Sequence, residues 1–454
     1  MRPTLLLAPL LLGCVTATTA EAAEAWPRWR GPLGTGEAPG SNPPVTFGLD
    51  ENLRWRAEIP GNGKGTPIVL GDRVYVLTAV GVGDEVEPEE EEEEEDERGR
   101  GRRGRRGSRG IQPTQPQQFV VLALDRATGE EVWRDVCAER LPHEGTHQDG
   151  SWASASAVTD GEVLLAYFGS FGLFAYDLDG KRLWEKQLGE MRTRRSFGEG
   201  SSPAVHEDTV VVQWDHEGDD FIVALDRRTG KERWRRERDE PTTWATPLVV
   251  EVDGRAQVVA NGTNAIRAYD LETGKTVWEC GGMTVNAIPT PVHADGVVYV
   301  MSGFRGSALL AIRLSGAKGD LAGGDHVVWT HDRDTPYVPS PLLVDGKLYF
   351  LKVNTGILTC FDVEAGEPLY GPMRLESVAN VYASPVAGGG RVYLAGRDGE
   401  VEVIEIGPEY KLLASNEFDD GFDASPAIVG NELYLRGRNH VYCFATDADE
   451  AREF

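Results

Sequence analysis

Positive charge is in short supply: 46 Lys and Arg stand against 73 Asp and Glu, a formal net charge of −27. Phosphate backbones and anionic lipids are held by clustered cations that release counterions, so the composition argues against general binding to nucleic acid or to an anionic membrane surface. Long apolar runs are missing too. Nowhere does the chain supply the roughly 18 consecutive apolar residues that a membrane-crossing helix needs, so no transmembrane segment is expected. Neither G-x-S-x-G nor a P-loop occurs, which removes two familiar signs of acyl-transfer and nucleotide chemistry. Cysteine is limited to five residues, no two adjacent. What is present is a 40 per cent share of hydrophobic residues, enough for a large core in an acidic globular chain.

The N-terminus reads as a secretory signal peptide over residues 1–22: Arg2, an apolar run from Leu5 to Leu12, then small residues ending at Ala20-Glu21-Ala22. Leu11-Leu12-Gly13-Cys14 resembles a lipoprotein cleavage box, in which Cys14 would carry a lipid anchor. Leu12 is an uncommon choice there and only thirteen residues precede Cys14, so cleavage near Ala22 is the expectation and lipidation the alternative. The chain is therefore expected to be periplasmic or secreted, with an outer-membrane lipoprotein as the second reading.

Comparing the chain with itself gives the fold. A small-residue turn, an apolar pair, a Gly or Asp turn and a β-branched run recur as GTPIVLGDRVYV at 65, SASAVTDGEVLL at 154 and SSPAVHEDTVVV at 201, with five more copies after them. Aligned on Pro67, Ser156, Pro203, Pro247, Pro291, Pro341, Pro385 and Pro426, they are spaced by 89, 47, 44, 44, 50, 44 and 41 residues. Each copy has a second half, such as ALDRATGEEVW ending at Trp133, in which an alternating strand meets an Asp/Thr/Gly turn and a short strand carries the aromatic. Four strands at this period make a propeller blade. The expectation is an all-β, eight-bladed β-propeller of four-stranded antiparallel blades over residues 53–446. An N-terminal extension over 23–52 precedes it and a C-terminal tail over 447–454 follows. The lone aromatic strand NLRWRAEI, with Trp55, precedes the first copy, and the last copy stops at VYCF without its aromatic strand. Trp55 is thus predicted to close the ring by pairing near Tyr442.

A D-x-x-T-G-x-x-x-W unit repeats at Asp125, Asp226 and Asp270, and WPRWRGP opens the mature chain at 26–32. In these features the chain resembles the pyrroloquinoline-quinone-like (PQQ-like) β-propeller repeat superfamily of secreted bacterial proteins, rather than WD-repeat propellers. Two branches of that superfamily imply different functions. Quinoprotein dehydrogenases oxidise alcohols or sugars with PQQ held over two adjacent cysteines beside a calcium ion; no Cys-Cys pair exists here, and none of their catalytic or metal-binding residues can be matched by motif. The resemblance to non-enzymatic, BamB-like propellers implies a protein-binding scaffold in the cell envelope, with envelope or secreted proteins as partners, no cofactor and a monomeric state. The quinone-dependent dehydrogenase, with PQQ and calcium, is kept as the alternative. Trp55, Trp133, Trp184, Trp234, Trp278 and Trp329 are read as core residues. Burying about 150–250 Å² of each at about 25 cal/mol/Å² stabilises by up to about 4–6 kcal/mol without any ligand.

Three local features remain. Cys137, Cys280, Cys360 and Cys443 are expected to be buried free thiols, because Cys360 and Cys443 fall at the same point of blades six and eight, too far apart to bond. His143-Glu144-Gly145-Thr146-His147 matches the zinc motif H-E-x-x-H, but Pro142, Gly145 and Gly150 leave no room for the helix that would align both histidines, so neither is taken as a metal ligand. Residues 84–118 form an insert in blade one, an acidic block running into an Arg-Gly block and a Pro-Gln spacer, expected to be disordered and removable. Arg-Gly segments can bind single-stranded nucleic acid, yet beside twelve acids this one reads as a solvated tether. Ligand or partner binding is expected where the connections between blades converge on one mouth of the channel. The candidates there are Trp152, Arg192, Arg194, Arg195, Trp244, Tyr337, Tyr382, Phe422 and Asp423, with His143 and His147 nearby.

Overall fold

The computed structural model describes residues 24–85 and 110–446. The expected signal peptide with the Cys14 alternative, most of the insert, and the tail from 447 lie outside the described residues. No helix among the described residues is long and apolar enough to cross a membrane.

Eight blades close a ring. Blade one runs outward through Ile68–Leu70, Arg73–Gly81, Gln117–Asp125 and Glu131–Arg140. The second and third strands of each blade are β-branched and aromatic runs buried on both faces, because each blade is packed between two others. Blade eight is built from both ends of the chain: Ala427–Val429, Glu432–Arg436 and His440–Ala445 are completed by Leu53–Glu58, with Trp55 opposite Cys443 and Arg56 opposite Tyr442. The predicted closure is thus observed.

The D-x-x-T-G-x-x-x-W unit works between blades. Asp125 Oδ1 accepts from the Ala127 and Thr128 amides and so shapes the turn, which places Gly129 at φ +74°. The Trp55 ring of blade eight lies flat on that glycine, 2.6 Å from where a Cβ would stand, and its indole N–H donates to the Arg126 carbonyl at 2.8 Å. Trp184 on Gly230, Trp234 on Gly274 and Trp329 on Gly366 repeat the arrangement, with indole bonds to Arg227, Leu271 and Val363. Trp133 likewise covers Gly180. Trp278 differs. Blade five lacks the Thr-Gly turn, and Gly319–Asp320 adds a parallel strand beside Trp278, whose indole turns to Gln257.

At three points the structure corrects the sequence reading, and at a fourth, the H-E-x-x-H segment, it agrees with it. The equivalent of Pro67 in blade two is Ala157, one residue beyond Ser156, because inner strands start at Ile68 and Val158. The insert is shorter than 84–118: Ile111 pairs with Thr146 in both directions, and Gln117 and Gln118 belong to a strand opposite Gly81 and Val80. The extension over 23–52 is part of the ring. Ala25–Trp26 pairs with Val69–Leu70 of blade one, Glu37–Ala38 runs parallel to Ala387–Gly388 of blade seven, and Thr159, Leu343 and Gly430 bond its backbone from blades two, six and eight. It plugs the channel along the inner strands, then buries Phe47 among Tyr393, Phe418 and Phe444. Finally, H-E-x-x-H is a loop whose histidines diverge: His143 Nε2 lies 2.7 Å from the Met191 carbonyl, whereas Glu144 accepts from the Thr193 amide and hydroxyl. The four cysteines are buried and unpaired, as expected.

Candidate functional site

At the start of each inner strand a Ser or Thr precedes the Pro position, and in every blade but the second, which has Ala157, the chain there is held extended by the following proline ring. These residues form a belt around the channel. The Thr66 amide donates to Ser156 Oγ (2.9 Å), Ser156 to Ser202 (3.0 Å), Ser202 to Thr246 (3.0 Å), Thr290 to Ser340 (2.9 Å), Ser340 to Ser384 (2.8 Å) and Ser384 to Ser425 (2.9 Å). Blade is tied to blade through hydroxyl groups.

Two residues before the belt, every blade turns one residue toward the mouth: Lys64, Ser154, Gly200, Trp244, Ile288, Val338, Tyr382 and Asp423. Together they wall a mostly apolar cavity of about 210 Å³, with Trp29 of the plug, its indole bonded to Ser425, as a further wall. His147, Asp149, Phe197, Glu199 and Tyr337 complete the rim.

The charges at this mouth are bonded to one another. Lys64 Nζ donates to Asp423 Oδ2 (2.7 Å), Arg397 bridges Asp423 Oδ1 (2.6 Å) and Asp149 Oδ1 (2.8 Å), and the Tyr382 hydroxyl donates to Asp149 Oδ2 (3.1 Å). The Arg397 guanidinium lies 3.9 Å over the Tyr382 ring. Burial works against the Asp149 charge, yet Arg397 outweighs it and holds this carboxyl below the usual range; burial and then Asp149 push the Tyr382 hydroxyl up to about 12. Glu199 has no cation. It accepts from the Ser170 amide (2.7 Å) and hydroxyl (2.5 Å), and burial pushes its carboxyl up to about 8, with Glu144 adding to the rise.

Of the residues singled out from the sequence, Trp244, Tyr337, Tyr382, Asp423 and His147 line the cavity. Arg194 and Arg195 sit in a short 3-10 turn on the rim, with Arg194 near enough to act on the Tyr337 hydroxyl. Arg192 points outward to the Glu217 carbonyl. Trp152 donates to the Glu144 carbonyl beside a smaller hollow, where His143 also lies. Phe422 turns the other way, into the core against Phe418 and Tyr442. Sequence reasoning missed Trp29, Lys64, Asp149, Phe197, Glu199 and Arg397. The position two before the belt was the available signal, since it supplies Lys64 together with Trp244, Tyr382 and Asp423.

The family model described as "Outer membrane protein assembly factor BamB" matches residues 117–370 and, in an overlapping match, 219–450. The outer membrane protein assembly factor BamB of Yersinia pestis is 22% identical over 341 residues, 72% of this chain and 79% of its own length. That of Burkholderia pseudomallei (strain K96243) is 21% identical over 393 residues, 85% and 86% of the two chains. Among solved structures, BamB from Moraxella catarrhalis gives a TM-score of 0.56 at 14% identity, covering 87% of this chain and 99% of its own. Quinohemoprotein alcohol dehydrogenase from Comamonas testosteroni gives 0.58 at 13% identity, covering 94% and 81%. At such identities the structural likeness shows the shared propeller alone.

Proposed function

We infer the function from one premise: this chain belongs to the outer membrane protein assembly factor BamB family. We propose that it is a monomeric, non-enzymatic scaffold that binds envelope proteins through the mouth face of the ring, on the periplasmic side, during outer-membrane protein assembly. Export by the signal peptide fits this reading, whether the mature chain is released after Ala22 or anchored through Cys14.

The observation that carries it is the closed charge network of the mouth. Asp149 and Asp423 are bound to Arg397 and Lys64, so neither is left as a general base, and the plug occupies the channel below them. PQQ with calcium does not fit these residues. The four described cysteines are buried and separate, and the mouth carboxylates are taken up by cations or by Ser170. Among the described residues no group of three or more His, Cys, Asp or Glu is placed to hold a metal ion.

The test is to add PQQ and Ca²⁺ to the purified mature chain and follow absorbance together with dye reduction by alcohols and sugars, while isolating the chain from cross-linked envelopes in parallel. The scaffold reading expects no turnover and co-isolation of outer-membrane assembly proteins. Stoichiometric quinone binding with substrate-dependent dye reduction would replace it by the dehydrogenase.

A further inference from the structure

Two cations serve the three carboxyl groups whose residues line the mouth cavity. Lys64 and Arg397 take both oxygens of Asp423, while Arg397 and the Tyr382 hydroxyl take those of Asp149. Glu199, in the wall beside Gly200 and Trp244, is left with the amide and hydroxyl of Ser170 alone. The Glu144 carboxyl, which shares a small hollow with it, is bonded only to Thr193. Among the described residues no Lys, Arg or His lies within ion-pair distance of either carboxyl.

A second hollow, of about 10 Å³, shares Glu199, Gly200 and Trp244 with the cavity, and it is short of donors. Gln213, 1% exposed, lines this hollow and gives its amide nitrogen to Asp215, Thr243 and the Asn261 carbonyl, while its Oε1 accepts from nothing. The hydroxyl of Tyr167, 2% exposed and on the same hollow, has no partner either. An acceptor without a donor thus stands beside a carboxyl without a cation.

Both shortages cost free energy, and a group that carries positive charge together with several N–H donors answers both. A hollow of this size holds about one water-sized group, which suits a compact ammonium better than a planar guanidinium. Burial pushes the Glu199 carboxyl up to about 8, with Glu144 adding to the rise, and a cation brought against it favours the ionised form. The cavity suits the rest of such a ligand, because Phe197, Trp244 and Tyr337 offer rings along which an apolar stem can lie. Ring faces at this mouth already take a cation, since the Arg397 guanidinium lies 3.9 Å over Tyr382. The overall charge of −27 draws cations toward the protein.

We propose that the mouth cavity binds an organic ammonium ion, with its head against Glu199 and its apolar stem along Phe197, Trp244 and Tyr337. A lysine side chain of an envelope protein and a free amine share this chemistry. This rests on the mouth as the binding face of the scaffold and names what that face takes. Ammonium binding is measured on the purified chain and partner capture in cells, so the two can fail separately.

The probes are an acetylated and amidated tripeptide with a central lysine, its norleucine counterpart, pentylamine and pentanol. They are titrated calorimetrically at pH 9, where Glu199 is largely ionised and the amines keep their charge. Each charged probe that binds is expected to do so at least about tenfold more tightly than its neutral counterpart, as an ion-paired ammonium should. Glu199→Gln should lose about that factor. Tyr337→Leu, which removes a ring and leaves every carboxyl in place, serves as a second variant should Glu199→Gln not fold, and should weaken binding several-fold. Binding of the lysine peptide supports the proposal with a protein side chain as source; binding of pentylamine but not of the peptide supports it with a free amine as source. Equal affinity for charged and neutral probes, binding of none of them, or wild-type affinity in the variants would overturn it.

Discussion

Gly71 and Gly129 both hold a positive φ, +56° and +74°, yet only one faces a neighbour. Nothing lies within 4 Å of a Cβ built on Gly71, whereas one on Gly129 would strike the Trp55 ring. Gly71→Ala should therefore cost only the left-handed backbone penalty, about 1 kcal/mol. Gly129→Ala adds overpacking and should cost about 2–4 kcal/mol in denaturant unfolding. Equal losses in the two variants would show that the indole does not depend on that glycine. Glu199 gives a second prediction. Its folded pKa, about 8, lies above the ordinary value near 4.5, so the folded state holds a proton that the unfolded chain releases. Its contribution is complete below about pH 4.5 and is lost as pH rises through 8. The thermal midpoint of the protein should fall across that window, and Glu199→Gln should flatten the fall; the same slope in both proteins would refute the assignment.

At the scale of the element, the repeats were legible because every blade meets the same packing demands, with short inner strands, β-branched middles and an indole for the next turn. Where a blade departs from the rule, the sequence misleads. Blade two has Ala157 in place of Pro, which shifted its alignment by one residue, and blade five replaces its turn with an added strand. The insert follows the same logic. Its composition marked a long polar segment, but composition cannot show that Ile111 bridges Thr146 or that Gln117 and Gln118 extend a strand. Replacing residues 86–109 with a short Gly-Ser linker should leave the thermal midpoint nearly unchanged, since loop length costs only about 0.6 kcal/mol per doubling. Removing 84–118 should lower it measurably, because strand pairing goes with it. If both deletions behave alike, residues 110–118 contribute nothing to the fold.

For the whole molecule, the ring and its closure could be read from the chain alone, because an aromatic strand displaced to the start of the chain has one vacancy to fill. The plug could not. WPRWRGP has no repeat partner, and its role depends on backbone bonds to the inner strands of several blades, which pattern does not encode. The cavity was half legible: aromatics near the inner strands were visible, while Lys64, Asp149, Glu199 and Arg397 are single charges whose meaning comes only from convergence of distant blades. With those charges paired above a blocked channel, the proposed function lies in contacts made by the mouth face. Site-specific photo-crosslinking in cells tests this most directly, with the probe at Arg195, exposed on the mouth rim, or at Lys411, exposed beside the outer strand Leu412–Glu417 of blade seven. Crosslinks to outer-membrane assembly proteins are expected from Arg195 and none from Lys411. Silence at Arg195, or the same partners from both positions, would contradict it.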